Sequence, residues 1–419
     1  MKTTRYNYIP DKGEADKSLK PVRFNKFSTF QRFRIITIFL FFSASLTAQN
    51  SFNDFLNQVK TNNKALITAK EQLKADETEA KTNLNPANPE VEFGYLFGTP
   101  EQIGNRTDFS VMQNLSFPTY YFAKQKSSGI MRSQAQLRYQ LAENHILVQA
   151  KIRWYERIYL NQKHQIFTRR LQNAEQIFHH YERKFSSGEC NQLQLNQARL
   201  QFISMKNETA QLLSEIANNQ SALNELSGGT PINITETELP ATTSVSQEEI
   251  LQSTASSSRV RLSQIQSDFL KQEIAVRKNQ VLPQLKVGYY RESITSETFS
   301  GFKAGISIPL WNSANQIKLA RYQADASQAE QQQQLLSLQS ELQQKFNTLQ
   351  SIITQVQELK ASLQLVNDEQ LLDKALQAGE ISLTEYYYET GFYFQNKLQL
   401  LDLQKKQLQL QAEIEGMVK

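Results

Sequence analysis

Leu115-Ser116-Phe117-Pro118-Thr119-Tyr120 recurs 191 residues later as Ile306-Ser307-Ile308-Pro309-Leu310-Trp311. In each copy an apolar residue, a serine and a second apolar residue lead to a proline, with an aromatic ring two positions on. This is the end of a β-strand with unlike faces, stopped by a residue that lacks an amide donor. A second landmark keeps the spacing: Phe185-Ser186-Ser187-Gly188-Glu189-Cys190-Asn191 matches Leu376-Gln377-Ala378-Gly379-Glu380-Ile381-Ser382. A third, Phe93-Gly94-Tyr95, matches Val287-Gly288-Tyr289 at a separation of 194. Three landmarks in one order read as a tandem duplication. The halves meet in a Gly-, Pro- and Thr-rich stretch, Gly228 to Ser246. The expected organisation is a presequence over 1–48, a first repeat over 49–227, a linker over 228–246 and a second repeat over 247–419.

Each strand end belongs to a hairpin. Val91, Phe93, Tyr95 and Phe97 alternate, a turn-rich segment follows through Gly98, Pro100 and Gly104, and Phe109, Val111, Leu115 and Phe117 resume opposite Asp108, Ser110, Asn114 and Ser116. In the second half Leu285, Val287 and Tyr289 precede a loop containing Ser293 to Ser300, and Phe302, Ala304, Ile306 and Ile308 then alternate with Lys303, Gly305 and Ser307. Ahead of the first hairpin, residues 51–82 read as one helix stopped by Asn85-Pro86-Ala87-Asn88-Pro89. Behind it, apolar residues from Leu137 to Phe185 recur by threes and fours, the seam of a coiled coil. A helix over about 122–184 would be roughly 95 Å long at about 1.5 Å per residue. Leu342, Phe346, Leu349, Ile353, Val356 and Leu363 repeat the seam. Gly188 and Gly379 interrupt it, so each half ends in a long antiparallel helical hairpin with its tip at a glycine. The expected fold class is mainly α with a small β part.

Charge and composition exclude other classes. The chain has 419 residues, a formal charge of +5 and a pI near 8.9, which at first points to nucleic acid. Residues 1–48, however, hold 9 Lys+Arg and 3 Asp+Glu; taking them from the 46 and 41 of the whole chain leaves 37 against 38. The basic excess is N-terminal, and no nucleic-acid partner is expected. There, Arg32 and Arg34 precede the apolar run Ile35 to Phe42 and the small, polar exit Ser43 to Gln49. This is the layout of a secretory signal, with cleavage expected after Ala48. A mean hydropathy of −0.53 and 50 glutamines argue against a multi-span helical membrane protein. The single cysteine, Cys190, allows neither an internal disulfide nor a paired-cysteine metal site. No cysteine follows the apolar core, so a lipoprotein anchor is not expected.

Four strands cannot close a membrane barrel, which needs about eight or more. Three copies would supply 12, with the apolar face toward lipid and Ser, Gly, Lys and Asp toward a lumen.

On the duplicated strand end, the duplicated glycine tip and the helix–hairpin–helix–helix order of both halves, the chain resembles the outer-membrane efflux proteins typified by TolC. The resemblance spans the sequence beyond the presequence. It implies a homotrimer with a 12-stranded β-barrel in outer-membrane lipid and an α-helical barrel in the periplasm, with substrate delivered by an inner-membrane efflux pump through a periplasmic adaptor. The segment Ile103-Gly104-Asn105-Arg106-Thr107-Asp108-Phe109, leading to Phe117-Pro118-Thr119, looks like the CzcC-like branch, which implies heavy-metal cations as cargo. The resemblance further implies adaptor contact at the tips: Ser186, Ser187, Gly188, Glu189, Cys190 and Asn191, and Ala378, Gly379, Glu380, Ile381 and Ser382. TolC narrows its periplasmic end with acidic residues six and nine positions past the second tip glycine. Here those positions hold Glu385 and Tyr388, so Glu385 alone carries over as a gate candidate; an ordinary solvated helix glutamate is the alternative.

No nucleophile, phosphate-loop or metal-spacing motif appears, so neither an enzyme nor a cofactor is expected. Of His145, His164, His179 and His180, the adjacent pair would point about 100° apart on a helix and cannot share an ion. The competing function is a periplasmic coiled-coil scaffold or adaptor without a pore.

Overall fold

The computed structural model describes residues 44–82, 84–100, 103–242, 246–295, 297–309, 314–365 and 369–419. Ser51–Lys419 forms one compact unit. In the other, residues 1–50, only the helical backbone of 44–50 is described, so the basic flank and the apolar run lie outside the described residues.

The elements are α1 (Ala44–Asn62), α2 (Lys64–Thr82), β1 (Glu90–Leu96), β2 (Arg106–Leu115), α3 (Pro118–Ser186) and α4 (Gln192–Leu226). Beyond the linker come α5 (Gln247–Thr254), α6 (Ser258–Gln280), β3 (Gln284–Ile294), β4 (Glu297–Ser307), α7 (Ala314–Leu365), α8 (Glu369–Ala378) and α9 (Leu383–Val418). The helix expected over 51–82 is two helices. Asn63 divides them: its side-chain oxygen accepts from the Leu66 amide at 3.0 Å, and its side-chain amide donates to the Leu226 carbonyl at 2.9 Å. Asparagine at a helix start satisfies an amide that would otherwise lack a partner, and one side chain both opens α2 and ties it to the end of α4.

The strands form one antiparallel sheet in the order β1-β2-β3-β4. Its central seam pairs β2 with β3, in register from Arg106↔Ile294 to Leu115↔Leu285. The loop expected over Ser293 to Ser300 is much shorter, because β3 and β4 stay paired out to Ile294↔Glu297. Ser293 and Thr298 meet across that ladder, hydroxyl to hydroxyl at 3.0 Å. Backbone pairing therefore continues where the alternation breaks, since Ile294 and Phe299 fall on the polar face, out of phase with Leu285, Val287, Tyr289 and Phe302.

Pro118 opens α3 at a first-turn position, where its missing N–H costs nothing. The helix then runs for 69 residues, about 100 Å. Midway, Phe55, Val59, Ala150, Trp154, Ile158 and Leu223 form a core with Ile234 of the linker, which is only 2% exposed. The Asn161 side-chain amide donates to the carbonyls of Ile234 (2.9 Å) and Glu236 (3.0 Å), so the linker is packed rather than slack. A second core gathers Ile250, Val260, Leu338, Leu342, Phe346, Leu349 and Ile414. Nearer the sheet the helices meet through small buried residues: Ala123, Ser127 and Ala135 on α3, Ser267 on α6, and Ala320, Ala324 and Ser327 on α7. Ser127 donates to Glu273 at 2.7 Å and Gln134 to Gln266. Glutamine thus serves the interior as well as the solvated faces.

Trp154 packs on Phe52 and Phe55 at centroid distances of 5.3 and 5.2 Å. Trp154→Ala should lower unfolding stability by about 3–5 kcal/mol, read by circular dichroism in denaturant. A change below about 1 kcal/mol would contradict this account of the core.

Candidate functional site

The sheet has its faces reversed relative to a sheet that covers a soluble core. Register places Val91, Phe93, Val111, Phe109, Val287, Tyr289, Phe302 and Ile306 on one face, which lies open, with Phe93 72% and Phe302 93% exposed. β1 and β4 are open on both faces, and on the central strands β2 and β3 the apolar face is the more open. On the other face the polar Ser110 is only 7% exposed. β2, β3 and β4 have 10, 11 and 11 residues, the length of tilted strands that cross a bilayer.

The reverse face carries a charged network. Arg106 Nε lies 2.8 Å from Asp108 Oδ1 and 3.0 Å from Glu292 Oε1. Its Nη2 donates to the Tyr290 hydroxyl at 3.1 Å, and Lys303 Nζ stands 3.2 Å from the centre of the Tyr290 ring. Lys286 pairs with Glu90 at 3.4 Å.

At the other end of the helices, both expected tips are built alike. Gly188 has φ +79° and Gly379 φ +74°, the left-handed conformation that ends a helix without a Cβ clash. The Gly188 amide bonds the Phe185 carbonyl and the Glu189 amide the Lys184 carbonyl; Gly379 and Glu380 bond Leu376 and Ala375 in the same way. Asn191 and Ser382 then start the return helices in capping boxes with Gln194 and Glu385. Ser186, Ser187, Gly188, Glu189 and Asn191 are exposed, as are Ala378, Gly379, Glu380 and Ser382, while Cys190 and Ile381 are half-buried. The tips lie side by side: Tyr181, Leu195 and Ala198 of the first cluster with Leu383 of the second, and Cys190, Leu376 and Tyr387 pack against them.

Glu385 is an exposed residue of this tip, but its carboxylate has a local task. Oε2 accepts from the Ser382 amide at 2.8 Å, and the Glu385 amide donates to Ser382 Oγ at 3.2 Å. Those hydrogen bonds, the backbone one foremost, hold its carboxyl below the usual glutamate value. Three elements are pinned nearby by residues that periodicity does not single out. The buried Tyr386 hydroxyl donates to Asp373 at 2.6 Å, and Asn173 reaches both at 2.8 and 3.1 Å. Burial first, then the Asp373 carboxylate, pushes the Tyr386 phenol well above its ordinary range. His179 pairs with Glu182 at 2.9 Å, partial burial lowers the His180 pKa, and the Cys190 thiol donates to the Tyr181 carbonyl at 3.5 Å. Among the described residues no three His, Cys, Asp or Glu side chains are grouped to hold a metal ion.

Comparison with known proteins defines the class of fold. No protein-family profile matches the chain, and no curated protein matches it either. Solved structures do. The Campylobacter jejuni CmeC outer membrane channel superposes with a TM-score of 0.74 at 15% identity, over 88% of this chain and 85% of that one. CusC, described for its folding and transmembrane channel formation, gives 0.71 at 17% over 88% and 92%. The open Neisseria gonorrhoeae MtrE outer membrane channel gives 0.63 at 13% over 88% of both. The chain has the fold of these outer-membrane channels.

Two changes test the tips. At Gly188 and Gly379 an added Cβ would meet nothing within 4 Å, so Gly188→Ala and Gly379→Ala probe backbone strain alone. Each should cost about 1–2 kcal/mol and speed proteolysis at its own tip. Because the Glu385 carboxyl is held low, its cap persists above the ordinary glutamate range and is lost as pH falls through the depressed value. The protection factor of the Ser382 amide, the exchange rate corrected for the intrinsic rate at each pH, should be high near neutrality and fall as pH drops through the depressed Glu385 value; a protection factor that does not change with pH would contradict the capping role.

Proposed function

We propose that this chain is the outer-membrane exit duct of a tripartite efflux system, conducting passively what an inner-membrane pump and a periplasmic adaptor deliver. The reversed sheet carries the proposal. A face bearing Phe93, Phe302 and Ile306 gains by leaving water, at about 25 cal/mol per Å² of apolar surface. The unpaired margins β1 and β4 call for further strands. A coiled-coil scaffold without a pore gives that face nothing to cover it.

Three copies joined β1 to β4 close 12 strands. Since β1 belongs to the first half and β4 to the second, the copies join head to tail, the arrangement that closes into a ring. The helices support the same assembly. α4 buries Leu195, Ala198, Met205 and Leu212 but leaves Leu193, Leu200, Ile203 and Leu213 exposed in a second stripe, and α7 exposes Leu319, Tyr322 and Leu336. We assign these stripes to the seam between copies. The duplication, the signal over 1–48 and the periplasmic helical barrel belong to this proposal, as do adaptor contact at the tips and a gate role for Glu385. The proposed cargo is heavy-metal cations, on the likeness of the segment from Ile103 to Phe109 to the CzcC-like branch.

Native mass spectrometry of the detergent-solubilised protein should give a trimer whose β-signal is lost on heating. A photo-crosslinker at Leu200 should capture a second copy, and one at Ser187 the adaptor. A monomer without β-signal overturns the proposal. A deletion strain should lose resistance to zinc, copper or cobalt; sensitivity to hydrophobic drugs alone would contradict the cargo.

A further inference from the structure

Resting on the closure proposed above, the polar face of the sheet faces an aqueous lumen, and its charges are unequal. Toward the strand ends remote from the helices stand Asp108, Glu292 and Glu297 with Arg106. Nearer the helices stand Glu90 and Glu92 with Lys286, and Lys303 lies between. Among the described residues of the strands, five carboxylates on this face stand against three cations, a net of −2 in each copy.

The pairing geometry shows which residue controls that balance. Arg106 is shared, its guanidinium serving Asp108 and Glu292 at once, with the Tyr290 hydroxyl 3.2 and 3.1 Å from the same two carboxylates. One positive charge therefore offsets two negative ones at this level. Lys303 is spent over the Tyr290 ring. Glu92 meets the Ser110 hydroxyl at 3.4 Å, a contact that leaves its charge uncompensated. The tips carry carboxylates too: Glu385 is engaged with the Ser382 amide, Glu189 accepts from the Ser187 hydroxyl at 2.8 Å, and Glu380 is exposed.

We propose that the polar face of the sheet is a fixed-charge filter that favours cations over anions, and that Arg106 is the residue that limits the preference. Rings of like charge select counter-ions in pores, and their reach is the screening length. That length is about 30 Å at 0.01 M salt and about 3 Å at 1 M, so the filter acts across the lumen in dilute salt and only along its wall in concentrated salt.

The test is the reversal potential of the full-length protein in planar lipid bilayers under a potassium chloride gradient. The unaltered protein should reverse on the potassium side, with the shift shrinking as salt rises. Arg106→Gln should move the reversal further toward potassium and Arg106→Lys should restore it, which separates charge from any loss of packing. Asp108→Asn with Glu292→Gln should move it toward chloride. Open channels whose reversal is the same in all four proteins, or moves only with Glu385→Gln, overturn the filter and leave the duct standing. A trimer that never conducts overturns the duct and the filter with it.

Discussion

The margins of the sheet constrain the rest of the chain. β1 and β4 each pair on one side, leaving a row of backbone N–H and C=O groups outward. In water such rows are solvated; in hydrocarbon each unmet group costs several kcal/mol, so spanning sheets must close. The apolar face commits the proposed duct to hydrocarbon, and four strands are too few to close, so the margins must be met by other copies. The helices inherit that requirement. α3 and α4 bury one stripe against each other, and α4 keeps a second apolar stripe for a neighbour.

Much of the fold was legible because its signals are periodic. The strand faces, the glycine tips and the long seam all repeat at spacings of two or of three and four. What escaped was held by single polar side chains. Asn63 divides a helix that by apolar spacing runs through it, and Ser293 and Thr298 extend a hairpin where the apolar alternation breaks. Ile234 gave no sign in a turn-rich stretch that it would enter a core with Trp154.

The site was legible in position and less so in role. Both tips lie where Gly188 and Gly379 place them, and they pack against each other through Tyr181, Leu195 and Leu383, a long-range contact that spacing does not reveal. Glu385 shows how one residue can serve two readings. Its place at the third position of a helix, three after Ser382, is itself a capping-box signal, and the structure shows the box formed. The Arg106 network joins residues more than 180 positions apart, so only the register of β2 on β3 brings them together.

The central claim is that the two faces of the sheet meet different solvents. Nitroxide labels placed one at a time along β4, from Gly301 to Ile306, in a Cys190→Ser background and reconstituted in lipid, test it directly. Labels at 302, 304 and 306 should collide mainly with oxygen, which concentrates in hydrocarbon, and those at 301, 303 and 305 with a water-soluble nickel chelate. A period of two in phase with the apolar residues is the predicted result; uniform access to the chelate along the strand would contradict it.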